Sequence, residues 1–343
     1  MAEEKKGRAV ATSTAASIPK FVRGNLSATL KAKEEGKKVA AAFIADGQDE
    51  IMRAMDIVPA WGESFSGVCA AKRDAEKYLQ KAESDNFSRS LCTYATCNIG
   101  FDMMREELGQ APEGAPWGGM ARPDMMLGNG QLLCDPRFKW PQATQHYQQD
   151  VPVFVTNMYY PPWDPNGDHH EVEELYVKYA KEELHETVKF CEKITGKKMD
   201  WDRLAKTVEL SDKTWDLFID TYELRKHIPT PMDTGDAMNT MVPLTFNLGT
   251  QEAYDFYVSL KAELEQKIKD GIGVADPEKF RVIWAAGLPS WFALGDFQYF
   301  NSKGVVFPVE VTYRGCEKIE RLDLPKTNDP LEHIAWRWVR YWT

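Results

Sequence analysis

The chain has 343 residues, of which 43% are hydrophobic and 27% charged, and its formal net charge is -10 at pH 7. This composition excludes disordered and collagen-like proteins, and the length is typical of about two domains. The negative charge argues against a nucleic-acid-binding protein, which needs a surplus of Lys and Arg. The apolar run at residues 39–45 is too short to span a membrane and no secretory signal precedes it, so we expect a cytoplasmic protein without a membrane contact.

Residues 1–165 alternate between short apolar runs and segments with helical spacing. The apolar runs predict buried strands at residues 39–45, 57–61, 125–130 and 151–156, and the helical spacing predicts helices at residues 21–38, 49–55 and 138–147. A strand, helix, strand order is typical of parallel β-α-β units. We therefore predict a first α/β lobe over residues 1–165.

The remainder of the chain predicts a helical subdomain at residues 166–275 and the start of a second α/β lobe at residues 276–343. In the second lobe, strands at residues 280–286 and 305–311 flank a helix at 292–300, and a last helix begins with Asp329 as N-cap and Pro330 at its first position. Two strands make a small lobe, so we expect it to be incomplete. The predicted fold class is α/β, with two Rossmann- or flavodoxin-like parallel-sheet lobes and a helical insertion.

Familiar nucleotide and zinc motifs are missing. The chain has no Gly-x-x-x-x-Gly-Lys-Ser/Thr, and the residues after Gly130 break the Gly-x-Gly-x-x-Gly pattern of dinucleotide sites. The segment at residues 185–189 has Lys where a zinc protease has its second His. ATP or NAD would have to bind elsewhere, and a zinc protease is excluded.

The cysteines are the stronger lead to a cofactor. Cys134 follows the third predicted strand, at the carboxyl edge where open α/β sheets bind ligands. Cys92 and Cys97 are five residues apart and would point to different faces of a helix, so at most one of them shares a ligand set with Cys134. The alternative is that all three are small buried hydrophobes. The remaining cysteines, Cys69, Cys191 and Cys316, are most simply structural.

Five segments together resemble the 2-hydroxyacyl-CoA dehydratase and benzoyl-CoA reductase family. They are residues 91–100 (Leu-Cys-Thr-Tyr-Ala-Thr-Cys-Asn-Ile-Gly), the block from Arg122 through Cys134 to Trp140, residues 151–162 with Tyr-Tyr-Pro-Pro at their end, residues 287–291 and residues 329–332. The resemblance covers almost the whole chain. It implies a two-lobed α/β protein with a helical part, in agreement with the fold predicted from the patterns.

The resemblance also implies a cofactor and partners. In this family three cysteines of each protomer hold a [4Fe-4S] cluster, and the motif positions correspond to Cys92 and Cys134. The third family cysteine follows the Asp-Pro-Leu-Glu helix, so we expect it beyond residue 343, with Cys97 the weaker candidate. The family pattern implies a heterodimer with a homologous second subunit. A separate ATPase with its own cluster, supplied by ferredoxin, would deliver the electrons, so that ATP binds only there.

The expected substrate is an aryl-CoA or acyl-CoA thioester. Glu63 matches a position where the resemblance implies an active-site acid near the thioester, and its alternative is a solvated loop carboxylate. The aromatic side chains Trp61, Trp140, Tyr159 and Tyr160 are expected pocket walls, although ordinary core packing explains each of them equally well.

Three functions remain open at this point. The first is ATP-dependent reduction of an aryl-CoA to a cyclic dienoyl-CoA, which the Cys-Thr-Tyr-x-x-Cys-Asn-Ile-Gly form favours. The second is radical syn-elimination of water from an (R)-2-hydroxyacyl-CoA. The third is a non-catalytic scaffold subunit whose partner holds the active site.

Overall fold

Helices and parallel strands alternate through the described part of the chain. The computed structural model describes residues 12–44, 47–130, 135–159, 170–285, 291–310 and 317–341. Within these residues a four-stranded sheet, sheet A, and a two-stranded sheet, sheet B, are both parallel. The predicted α/β class is therefore confirmed.

The strands lie where the apolar runs predicted them. They are β1 (Val39–Ala42), β2 (Val58–Trp61), β3 (Met125–Asn129), β4 (Val153–Thr156), β5 (Phe280–Trp284) and β6 (Val305–Glu310).

The α-helices fill the intervening segments. They are α1 (Ile18–Glu34), α2 (Asp49–Ala54), α3 (Gly62–Ala71), α4 (Glu76–Ser84), α5 (Thr93–Leu108), α6 (Asp135–Tyr147), α7 (His170–Thr195), α8 (Trp201–Leu224), α9 (Thr234–Thr240), α10 (Val242–Asn247), α11 (Gln251–Lys269), α12 (Gly295–Ser302) and α13 (Pro330–Tyr341). None of the helices in the described segments combines the length and the apolar composition needed to cross a bilayer. The predicted N-cap of α13 is confirmed, because Asp329 Oδ1 accepts the N–H of Leu331 at 2.9 Å.

Sheet A has the strand order β2-β1-β3-β4. Ala40 of β1 pairs with Pro59 of β2 on one side and with Met125 of β3 on the other. The direction in which strands are added reverses between β1 and β3, and α/β sheets bind ligands at the carboxyl ends of the strands beside such a switch point. Ala40 and Met125 are fully buried, as expected for strands with helices on both faces.

Sheet B pairs β5 with β6, with a register shift between Arg281 and Ile283. Glu310, the last residue of β6, forms a buried bidentate ion pair with Arg225, with both N···O distances at 2.9 Å. Thr234 donates to the same carboxylate at 3.0 Å. The pair ties the end of α8 to the end of β6.

Contacts between Cα atoms divide the chain into two units. One consists of residues up to Phe21 together with Leu210–Arg321 and contains sheet B. The other consists of Val22–Glu209 together with the residues from Leu322 onwards and contains sheet A. Domain boundaries near residues 165 and 275 stay a prediction.

Helices α4 and α5 make an unusually close contact at Gly100. A Cβ atom on Gly100 would lie 1.9 Å from the carbonyl oxygen of Tyr78 in α4. The aromatic rings of Phe65, Tyr78 and Phe101 pack together beside this contact, with centroids 4.3 to 5.7 Å apart. The glycine therefore sets the position of α5 against its neighbours.

The substitution Gly100→Ala should destabilise the protein, because backbone atoms of α4 would have to move. We expect the free energy of unfolding in urea to fall by about 1–3 kcal/mol. The matched control is Gly24→Ala in α1, where a Cβ would meet nothing within 4 Å. There the better helix propensity of Ala should raise the free energy of unfolding by about 0.5–1 kcal/mol. Equal effects of the two substitutions would contradict this account of Gly100.

Candidate functional site

Three helices begin at the carboxyl edge of sheet A. α2 begins soon after β1, α3 begins at Gly62 directly after β2, and α6 follows β3. Helices α5 and α6 pack against each other beside this edge, and α5 also packs against α3. The sheet topology therefore brings residues from distant parts of the sequence to one place.

Glu63 lies in the first turn of α3 with its side chain only 12% exposed. Its Oε2 accepts the backbone N–H of Ile44 at 3.0 Å, and its Oε1 lies 3.6 Å from Nε of Arg137. Burial raises the pKa of Glu63, and the Arg137 charge and the Ile44 N–H oppose that rise. The carboxyl group is thus buried rather than solvated.

Arg137 connects α6 to the end of β1. Its guanidinium, 5% exposed, donates to the carbonyl oxygen of Ile44 and lies over the ring of Phe43, 5.6 Å from the centroid. Trp140, one turn further along α6, packs edge-on against the same ring with centroids 5.1 Å apart. Phe43 therefore lies between the cation and the indole.

Cys92 is the N-cap residue of α5 and is half-buried. It packs beside a buried cluster that contains Phe43, Ile99 and Trp140. The unsatisfied N–H groups at a helix N-terminus favour negative charge, so the position suits a thiolate ligand. The structure places Cys92 in the same cluster as Trp140, close to the end of β1.

Cys134 falls outside the described residues. The next residue, Asp135, is the first of α6, and α6 packs against the helix that Cys92 begins. Among the described residues no three His, Cys, Asp or Glu side chains converge as a metal site. The described part of the chain thus includes one of the two cysteines predicted to bind a cluster.

The other described cysteines lie in the core. Cys97 and Cys69 are both buried in one apolar cluster, where the hydrogen bond between the thiols, together with burial, raises the pKa of Cys69. Burial raises the pKa of Cys191 in α7 to about 12. The environments of Cys69 and Cys191 suit neutral thiols rather than thiolates. Cys316 falls outside the described residues.

The remaining predicted wall residues belong to or follow strands β2 and β4, or fall outside the described residues. Trp61, the last residue of β2, is 2% exposed. Tyr159, after β4, is 41% exposed, and its ring lies 6.1 Å from that of Tyr179 in α7. Tyr160 falls outside the described residues. Trp140 is joined to Glu63 and Cys92 through shared neighbours, because its ring lies against Gly62 and belongs to the cluster on which Cys92 packs.

Arg137 was not among the site residues predicted from the sequence, although a signal for it was present. Arg137 lies three residues before Trp140, a spacing that places two side chains on one face of a helix. A charged residue that shares a helix face with a predicted pocket-wall residue, just after Cys134, is a candidate for the site.

A buried acidic pair at the start of α2 was also missed. Asp49 is 5% exposed, and burial, with the Glu50 carboxylate as the next cause, raises its pKa to about 7. Glu50 is fully buried and accepts a hydrogen bond from Arg337 of α13. Gln48 donates to the carbonyl oxygen of Gly128 at 3.1 Å, which ties the start of α2 to β3.

The substitution Asp49→Asn should change how stability depends on pH. Between about pH 4 and pH 7 the folded protein holds a proton on Asp49 that the unfolded chain has released, so stability falls as pH rises. We expect Asn to remove that contribution and to raise the melting temperature at pH 8 more than at pH 5.

The matched control is Asp56→Asn. Asp56 is bonded to Arg203 at 2.7 Å, and this hydrogen bond holds the pKa of Asp56 below its usual range. Its replacement should lower stability slightly and equally at pH 5 and pH 8. If the melting temperature changes by the same amount between pH 5 and pH 8 in the wild type and in Asp49→Asn, the raised pKa assigned to Asp49 is contradicted.

The chain matches one family model over most of its length. That model, described as 2-hydroxyglutaryl-CoA dehydratase, D-component, covers residues 48–342. A benzoyl-CoA reductase subunit of Thauera aromatica is 28% identical over 296 residues, which are 83% of this chain and 65% of that protein. The (R)-phenyllactyl-CoA dehydratase alpha subunit of Clostridium sporogenes is 25% identical over 265 residues, 76% of this chain and 60% of that protein.

A third relative is similar over a comparable length. The (R)-2-hydroxyisocaproyl-CoA dehydratase alpha subunit of Clostridioides difficile is 26% identical over 297 residues, 86% of this chain and 67% of that protein. The chain thus spans about 60–67% of the length of these relatives. The resemblance found in the sequence is confirmed, and the chain belongs to the 2-hydroxyglutaryl-CoA dehydratase D-component family.

Proposed function

We propose that the chain is a subunit of a benzoyl-CoA reductase-like enzyme, in which it binds an aryl-CoA thioester that is reduced to a cyclic dienoyl-CoA. The observation that carries the proposal is the buried Glu63 carboxyl group, held by Arg137 at the sheet edge where Cys92 begins α5. The similarity to a benzoyl-CoA reductase chain supports the choice of substrate.

Cys92 and Cys134 are the proposed ligands of a [4Fe-4S] cluster, with a third ligand that the described residues do not include. Cys92 fits this role, because it is half-buried at a helix N-terminus whereas Cys97 and Cys191 are buried among apolar side chains. A thiolate-bound cluster supplies electrons of low potential to its substrate.

Glu63 is the proposed proton donor to the reduced substrate. Its Oε2 accepts the Ile44 N–H at 3.0 Å, and its Oε1, 3.6 Å from Nε of Arg137, is the oxygen that would hold and donate the proton. Burial raises the pKa of Glu63, so the carboxyl group is closer to the protonated form than an exposed glutamate. The rings of Phe43 and Trp140, 7% and 3% exposed, would exclude water from the reacting group.

A second candidate is the redox-neutral elimination of water from an (R)-2-hydroxyacyl-CoA. It is favoured by the description of the family and by the names of two of the three relatives. Both candidates use a thioester substrate and an acid, so the residues at the sheet edge serve either one.

The proposed partners are a homologous second subunit and a separate ATPase with its own cluster, which receives electrons from ferredoxin. The relatives are themselves named as subunits, which supports assembly with other chains. Location in the cytoplasm stays a prediction.

The two reactions differ in their use of electrons. Turnover of benzoyl-CoA with ATP, the ATPase and a reductant should consume two electrons for each dienoyl-CoA formed. Dehydration of an (R)-2-hydroxyacyl-CoA with no net consumption of reductant would favour the second candidate. If turnover occurs and Glu63→Gln and Cys92→Ser leave both its rate and the assembly unchanged, the chain is a scaffold whose partner holds the active site.

The substitution Cys92→Ser should lower the iron and acid-labile sulfide content of the anaerobically purified complex and change its electron paramagnetic resonance spectrum after reduction. The reason is that a serine hydroxyl is a poorer ligand for iron than a thiolate. The matched control is Cys191→Ser, which alters a fully buried cysteine of α7 and should leave the iron content unchanged. Equal iron content in the two variants would refute the assignment of Cys92.

The substitution Glu63→Gln keeps the shape of the side chain but removes its proton. We expect the turnover number for benzoyl-CoA to fall by about 10²–10⁴-fold, the typical contribution of a positioned acid. The dissociation constant for benzoyl-CoA should change little. A turnover number within a few-fold of the wild type would rule out Glu63 as the proton donor.

A further inference from the structure

Asn98 lies on α5, inside the segment at residues 91–100 that carries the family resemblance. Its side chain is 6% exposed. A Cβ atom on Gly62, the residue before Glu63, would lie 2.3 Å from Asn98 Oδ1 and 3.0 Å from Cζ2 of Trp140. The amide of Asn98 therefore sits at the start of α3, beside the proposed acid and the proposed wall residue.

The amide nitrogen of Asn98 is buried and, among the described residues, has no hydrogen-bond acceptor. The neighbours identified at the start of α3 supply no acceptor to it. Gly62 carries no side chain, and the indole of Trp140 offers only a donor. The acceptor groups of Glu63 are turned to the Ile44 N–H and to Arg137.

A buried amide group without a hydrogen-bond acceptor destabilises a folded protein. An apolar side chain of similar size would avoid that loss of stability. Buried donors without partners in native proteins therefore call for a physical explanation, such as a bound ligand. The proposed acyl-CoA site next to Glu63 offers such a ligand, since the thioester carbonyl oxygen is a hydrogen-bond acceptor.

We propose that the Asn98 side chain donates a hydrogen bond from Nδ2 to the thioester carbonyl oxygen of the bound acyl-CoA. Asn98 is thus a substrate-binding residue that recognises the thioester rather than the acyl chain or the nucleotide. The inference rests on the proposed function, because it requires an acyl-CoA at this edge. In surroundings shielded from water such a bond is stronger than in solution and orients the carbonyl group.

The test compares two ligands that differ only at the carbonyl group. Benzoyl-CoA has the thioester, and S-benzyl-CoA has a methylene group in its place. Dissociation constants for both are measured by calorimetry on the anaerobically purified complex, for the wild type and for Asn98→Leu. The wild type should prefer benzoyl-CoA, and the substitution should reduce that preference by about 3- to 10-fold. Asn98→Ala provides a second variant if Asn98→Leu does not fold.

A matched control is available at the opposite edge of the sheet. Gln148 follows α6 on the side where β4 begins, is fully buried, and its amide also has no partner among the described residues. Gln148→Leu should leave the ratio of the two dissociation constants unchanged. Because the ratio is taken within one protein, a general loss of stability does not alter it.

Two results overturn the inference. If both ligands bind and the ratio is the same in the wild type and the Asn98 variants, Asn98 does not contact the carbonyl group, and the proposed function stands. If neither ligand binds the wild-type complex, the proposed acyl-CoA site is itself wrong and the inference fails with it.

Discussion

The buried guanidinium of Arg137 holds the candidate site together. It faces the Glu63 carboxylate, donates to the Ile44 carbonyl oxygen and covers the Phe43 ring, so a single side chain of α6 fixes the end of β1 and the start of α3. A buried carboxylate without such a cation would be strongly destabilising. Arg137 opposes the rise that burial causes in the pKa of Glu63, yet the pKa stays above its ordinary value, as a proton donor needs.

The parallel sheet explains why these residues meet at all. Strands β1, β2 and β3 run in one direction, so each ends at the same edge, and the helices that follow start there. Helix α5 adds Cys92 at its first turn and Asn98 further along, while Gly62 leaves the space in which Asn98 and Trp140 approach α3. An acid, a thiol and an unpaired amide donor thus lie on helices α3 and α5 beside the buried ring of Trp140, an arrangement suited to a thioester whose reduced form must be kept from water.

The sequence predicted the framework better than the site. Runs such as residues 39–42 are apolar throughout because both faces of a central parallel strand are covered, and the signal is therefore local. The burial of Asp49 and the position of Arg137 depend on residues far along the chain, such as Arg337 for the acidic pair and Ile44 for the guanidinium. No local pattern reports such contacts. Trp140 lies beside Phe43 and its role as a pocket wall stays a prediction, whereas Cys134, Tyr160 and Cys316 fall outside the described residues.

The central claim is that an acyl-CoA binds at the carboxyl edge of sheet A. Hydrogen–deuterium exchange of the anaerobic complex with and without benzoyl-CoA tests it directly, since ligand contact slows exchange of the amides beneath it. The account predicts slower exchange in peptides covering residues 62–66, 92–99 and 136–141, with no change in helix α11, Gln251–Lys269. Slower exchange in α11 with none at the three segments would contradict it.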